Sequence, residues 1–259
     1  VTTELIRRLA DDLSDETEVL VDLVRPLTIE QWLTPTIWSD RSVADQVAHL
    51  ARADEVALTG VTDPARFRAE AARRLPRGAE VAEVAEVADL ADRAVREARN
   101  LSPGEVLARF RRARAAYLVG VTSIDPRARV AWYGADSSVA SSITLRLAAT
   151  WKRTLDVADV LGADVPATGR LRHVADLVAR SLTRAAGSEP VRFELSGPDG
   201  ELWVWGPETA PDRIGGTALD LCLLAVRRRQ REELDLEVVG PVASAQVLLL
   251  GRTGVGLLR

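Results

Sequence analysis

The sequence predicts an α+β protein, with a helical region at 1–187 followed by a small α+β domain at 188–259. Three observations carry this reading. Apolar side chains recur at helical spacing through the first 185 residues. The composition changes after AAGSEP at 185–190. Beyond it VRFEL alternates and leads through SGPDG into ELWVW, the pattern of two short strands around a turn.

Taken in order, residues 4–25 set Leu5, Leu9, Leu13, Val19 and Leu23 against Arg7, Asp11, Asp15 and Glu16, an amphipathic helix. LTIEQWLTPTIW at 27–38 reads as a loop around Pro35. A second helix starts at Ser42, with Asp45 three residues on as an approximate capping box. The threefold AEV within 79–99 is low complexity with high helix propensity, and too short for a solenoid repeat. Ser102, Pro103 and Glu105 open a helix that runs through FRRARAAYLVGV. After the loop DPRARVAWYGADSS come helices at about 139–161 and 170–185. Past the hairpin, GGTALDLCLLAVRRRQ reads as a helix with Gly215 and Gly216 near its start, and LDLEVVG as a strand. SAQVLLLG fits either state.

Composition narrows the function. Net charge is -4 with both signs interspersed, which argues against a nucleic-acid partner. The run Arg227 to Arg229 reads as a solvated helix end. The single cysteine, Cys222, excludes an intrachain disulfide and lies in the apolar LDLCLLAV, as a core residue does. VTTELIRRLADD carries no signal-peptide pattern, and the apolar stretches are shorter than the roughly 18 residues of a membrane span. The expectation is a cytoplasmic protein, monomer or homodimer, with no membrane partner.

The candidate chemistry is sparse. Of two histidines, His49 has Asp45 one helical turn before it, on the same face. Asp45 can orient the imidazole and make His49 an acid or base; a helix histidine with a satisfied hydrogen bond fits equally. Arg146, Ala149, Thr150 and Arg153 share one stripe of a helix, which either lines an anion-binding pocket or faces solvent. Trp32, Trp38, Trp132 and Trp151 sit in segments that would surround His49, as walls for a bulky, partly apolar small molecule or as core packing. Tyr133 is a further candidate contact beside Trp132. No Cys/His cluster has metal spacing, and there is neither a phosphate loop nor a GxSxG elbow.

Several segments together resemble one family: TPTIWSDRSVADQVAHLARADEVAL (34–58), WYGADSSVASSITLRLAATWKRTLDVADVLG (132–162), TGRLRHVADL (168–177) and GPDGELWVWGPETAPDRIGGTALDLCLL (197–224). The chain resembles the mycothiol-dependent maleylpyruvate isomerase-like proteins of the DinB-like superfamily, especially an actinobacterial metal-binding subfamily. The resemblance implies a DinB-like four-helix bundle followed by the small α+β domain. It also implies a divalent ion in relatives, held by a histidine in AHL and by the Glu and His of a stretch like ETWAH. The first position is His49 here, but the other two are Ala149 and Arg153, within ATWKR. The resemblance thus points to an emptied metal site, with no metal and no cofactor.

Three functions follow. The leading one is a metal-independent isomerase, cyclase or lyase of specialised-metabolite (antibiotic) biosynthesis, with His49, Asp45 and Arg153 catalytic and Trp38, Trp132, Tyr133, Arg146, Thr150 and Trp151 lining the substrate. The others are a non-catalytic ligand-binding or regulatory pseudoenzyme, and a metal- and thiol-dependent enzyme with ligands relocated to His49, Asp45 and Glu55.

Overall fold

A computed structural model describes residues 1–36, 41–74, 92–133, 135–185 and 189–254. The chain divides into two compact units, 1–164 and 165–259.

The first unit is built on four long helices whose starts are fixed locally. Helix α1 (Thr3–Val24) begins where the Thr2 hydroxyl accepts the Leu5 N–H. After it, Thr28 and Gln31 cap each other across a short helix α2 (Ile29–Leu33), so the expected loop there is partly helical. Ser42 and Asp45 make the same reciprocal box at α3 (Val43–Thr62), as Ser102 and Glu105 do at α6 (Pro103–Ser123). Both starts agree with the sequence. Helix α4 (Pro64–Arg74) and α5, described over 92–98, lie between them. The AEV repeat, at 79–87, falls outside the described residues. Helix α7 (Val139–Leu161) starts at Ser138 and stops at Gly162, whose φ of 61° is left-handed.

Helix α3 packs on α6 and α7, and α1 packs on the same two, which closes a four-helix ring. Leu20, Val24, Trp32, Val47, Leu50, Phe110 and Val157 form one continuous core cluster. At roughly 25 cal/mol per Å² of apolar surface, this burial is the main force holding the helices together. Two short strands, β1 (Arg129–Val130) and β2 (Ser137–Ser138), pair beside the bundle. The Ala131 N–H donates to the Gly60 carbonyl at 3.2 Å. A Cβ on Gly60 would collide with the Ala131 carbonyl, so glycine lets this segment lie against α3 and sets where Trp132 sits.

The second unit holds a four-stranded mixed sheet in the order β4-β3-β5-β6. The expected hairpin is present as β3 (Val191–Ser196) and β4 (Leu202–Trp205). Gly215 and Gly216 do not begin a helix. They end β5 (Asp212–Thr217), which pairs parallel with β3 and antiparallel with β6 (Leu236–Val239). Helix α9 (Ala218–Ala225) starts only after them, capped by Thr217. The ambiguous segment is helical, as part of α10 (Pro241–Thr253). Cys222 is fully buried in α9, and burial pushes its thiol pKa up, which suits a core residue.

Helix α8 (Leu171–Ala185) falls in the same compact unit as the sheet, which runs from 165, whereas the sequence expectation puts the boundary after it, at 187/188. The cause is tryptophan cover. Trp203 is 2% exposed and takes the Arg172 guanidinium over its ring at 5.7 Å. Trp205 donates its indole N–H to Asp176 at 3.0 Å. Among the described residues no helix is long and apolar enough to cross a membrane.

Candidate functional site

The capping box that starts α3 also decides what surrounds His49. Asp45 Oδ2 accepts the Ser42 N–H and hydroxyl, both at 2.9 Å. The expected Asp45–His49 contact is therefore not made; the carboxylate turns back to the helix end, where unpaired N–H groups compete for it. His49 is 7% exposed, and its Nδ1 has no hydrogen-bond partner. Its pKa is held well below the ordinary 6.5, first by burial and then by the charges of Arg153, Arg146, Arg41 and Lys152. Two of those cations, Arg41 and Lys152, were not singled out in the sequence, because nothing local ties them to His49.

The stripe on α7 splits into different roles. Arg153 Nη1 donates to Asp156 Oδ2 at 3.1 Å, and Asp156 is fully buried. Arg146 is partly buried with its guanidinium 5.0 Å from the centre of the Trp132 ring, and burial lowers its pKa. Ala149 packs against the apolar core. Thr150 faces the bundle interior, donating to the Arg146 carbonyl at 2.8 Å and accepting from Arg114 at 3.0 Å. Trp151 is buried at 6% exposure.

Arg114 is the residue the sequence reading missed. Its Nε donates to Asp54 at 2.7 Å and its Nη1 to the Thr17 hydroxyl at 2.6 Å. With Thr150, these contacts join α1, α3, α6 and α7 through one guanidinium. Beside it, the Tyr117 and Ser142 hydroxyls lie 2.7 Å apart, and burial pushes the Tyr117 pKa up to about 12. The available signal was an arginine placed on the same helical face as Phe110, Tyr117 and Val121, all fully buried.

The donor set does not fit a divalent ion. Ala149 has no ligand atom, Arg153 brings positive charge to the position beside His49, and Asp45 is held by Ser42. Glu55 is held by Arg109 through two contacts of 2.7 Å, which keep its pKa low against the raising effect of burial. Among the described residues no three His, Cys, Asp or Glu side chains group as a metal site would require.

Of the expected aromatic walls, Trp32 lies in the apolar core and Trp38 falls outside the described residues. Trp132 stacks on Phe67 at 6.2 Å and meets Tyr133 edge-on at 5.3 Å. Tyr133 also borders a cavity of about 280 Å³ lined by Arg52, Glu55, Arg66 and Glu70, which none of His49, Arg146 and Arg153 lines.

Comparison with known proteins agrees with this architecture. Residues 13–158 match the mycothiol maleylpyruvate isomerase N-terminal domain. An uncharacterized protein of Mycobacterium tuberculosis (strain CDC 1551 / Oshkosh) is 38% identical over 238 residues, 88% of each chain. Its counterpart in strain ATCC 25618 / H37Rv matches equally. The crystal structure of the mycothiol-dependent maleylpyruvate isomerase superposes with a TM-score of 0.59 at 11% identity, over 88% of this chain and 92% of that one. A variant of that isomerase, with a histidine replaced by alanine, gives 0.58 at 12% identity and the same coverage. These likenesses show the fold, an α+β arrangement of the DinB-like kind with a helical bundle and a small mixed sheet. The family model, covering more than half the chain, shows that this protein belongs to the mycothiol maleylpyruvate isomerase family, a family of small-molecule enzymes.

Proposed function

We propose that the protein is a metal-independent isomerase of a small anionic molecule, with His49 moving a proton and cations of α7 steadying the negative charge that develops. One observation carries this: a buried imidazole whose Nδ1 has no partner, kept uncharged by burial and by Arg153 and Arg146. A neutral imidazole can take a proton from carbon beside a carbonyl. The enolate that forms gains from a guanidinium nearby, and return of the proton to another carbon completes an isomerisation. Cyclisation or elimination would begin with the same step.

The test uses chelator-treated protein with maleylpyruvate, the compound in the relative's name, and with other enolisable oxo acids in heavy water. Proton NMR reads isomerisation and deuterium uptake, with and without a low-molecular-weight thiol. The expected result is turnover that survives the chelator, needs no thiol and falls about 100-fold or more in His49→Ala. Turnover that depends on added zinc, or none with any oxo acid, overturns the reading.

A second reading, a non-catalytic binding protein, is favoured by Asp45 being held by Ser42, so that among the described residues no carboxylate pairs with His49 Nδ1. It expects ligand binding without turnover, and binding unchanged in His49→Ala.

A further inference from the structure

We infer that this site recognises its ligand through a single carboxylate, and that Arg146, held against Trp132, is the residue that takes it. The inference rests on the reading of His49 and the α7 cations proposed above, and it names the charge and chemical class of the ligand.

The argument is an account of charge. Arg114 already holds the Asp54 carboxylate at 2.7 Å. Arg153 holds Asp156 at 3.1 Å, and Arg41 holds Asp92 at 2.9 Å. Lys152 is also engaged. Arg146 differs: among the described residues its guanidinium makes no ion pair or side-chain hydrogen bond, and it lies 5.0 Å from the centre of the Trp132 ring, within reach of the charges of Asp54 and Tyr117. Asp54 is near enough to act on it, but that carboxylate is bound by Arg114.

A partly buried cation without an anion is unfavourable unless something supplies one. With the Trp132 ring 5.0 Å away, the guanidinium can still present its N–H groups to a planar, two-oxygen partner. The bare His49 Nδ1 is a second unmet hydrogen-bonding atom, on the helix that packs against α7. A buried imidazole nitrogen without a partner and a partly buried guanidinium, on facing helices, describe a ligand that brings one negative charge and at least one further polar atom.

Benzoate is a suitable probe, with benzamide as its neutral counterpart and phthalate as a dianion, titrated calorimetrically into the full chain. Benzoate should bind with one-to-one stoichiometry, and benzamide about 10- to 100-fold more weakly. Phthalate should bind no more tightly than benzoate. Arg146→Gln should lose benzoate affinity by about 10- to 100-fold, with Arg146→Lys between it and the wild type. Arg153→Gln should change affinity by less than about threefold, since Arg153 already has a carboxylate. Circular dichroism of each variant separates lost binding from lost folding.

No benzoate binding at millimolar concentration, equal affinity for benzamide, or an unchanged Arg146→Gln each overturns the inference. Phthalate binding about tenfold more tightly overturns the single-charge count. Arg146-dependent benzoate binding without turnover of any oxo acid keeps this inference and removes the isomerase reading. Turnover with KM unchanged in Arg146→Gln does the reverse.

Discussion

The guanidinium of Arg114 meets the carboxylate of Asp54 at 2.7 Å, with both side chains at most 3% exposed. The two residues are sixty positions apart, on α6 and α3. Removing either partner leaves an uncompensated charge in the bundle, and Asp54→Ala or Arg114→Met should each cost about 3–5 kcal/mol. Replacing both with apolar side chains of similar volume should recover most of that. Urea unfolding of the two single variants and the double variant checks this, and additive losses in the double variant would contradict it.

The state of His49 links stability to pH. The unfolded chain takes up a proton near 6.5, whereas burial and the charges of Arg153, Arg146, Arg41 and Lys152 delay uptake in the folded chain to well below that. Below 6.5 the unfolded state therefore binds more protons, and stability falls as pH drops, by at most about 1.4 kcal/mol per pH unit from this group. His49→Gln should flatten that slope between neutral pH and the folded pKa. Chemical denaturation at several pH values, wild type against variant, reads the difference directly.

Metal addition gives an independent check. Zinc or nickel at several equivalents should leave the melting temperature unchanged, as should a chelator, because a ligand stabilises only the state that binds it. A zinc-dependent rise in melting temperature that vanishes in His49→Ala would show that the donor set had been misread.

In the second unit, Asp212 Oδ2 accepts the N–H groups of Val242 and Ala243 at 2.7 and 2.9 Å, which caps α10 from the neighbouring strand. Asp212→Ala should cost about 0.5–2 kcal/mol. Gly240 has φ 95°, and a Cβ there would collide with the Asp212 carboxylate. Gly240→Ala should therefore destabilise at least as much, by thermal unfolding.

What could be read from the sequence was mainly local. The Ser42–Asp45 and Ser102–Glu105 boxes span three residues each, and the β3–β4 hairpin closes over a short turn. The fold followed from these and from helical periodicity. Strand β5 was hidden because its two glycines have no side chains to alternate, and its pairing with β3 and β6 is set by distant segments. Asp45 was assigned to His49 because both lie on one face, and the nearer N–H and hydroxyl of Ser42 claimed it. The influence of Arg153 on His49 was legible through the family's motif. The Arg114 network was not, since its partners lie 36, 60 and 97 residues away.

The seam at 164/165 falls in a stretch, 163–168, with no helix or strand. A gene fusion or recombination event that cuts there keeps α8 with Trp203 and Trp205. A cut at 187/188 instead separates α8 from Trp203 and Trp205, and would turn the C-terminal fragment into a sticky, aggregation-prone product. The unit available for evolutionary exchange is thus one helix longer than the sheet's own strands suggest.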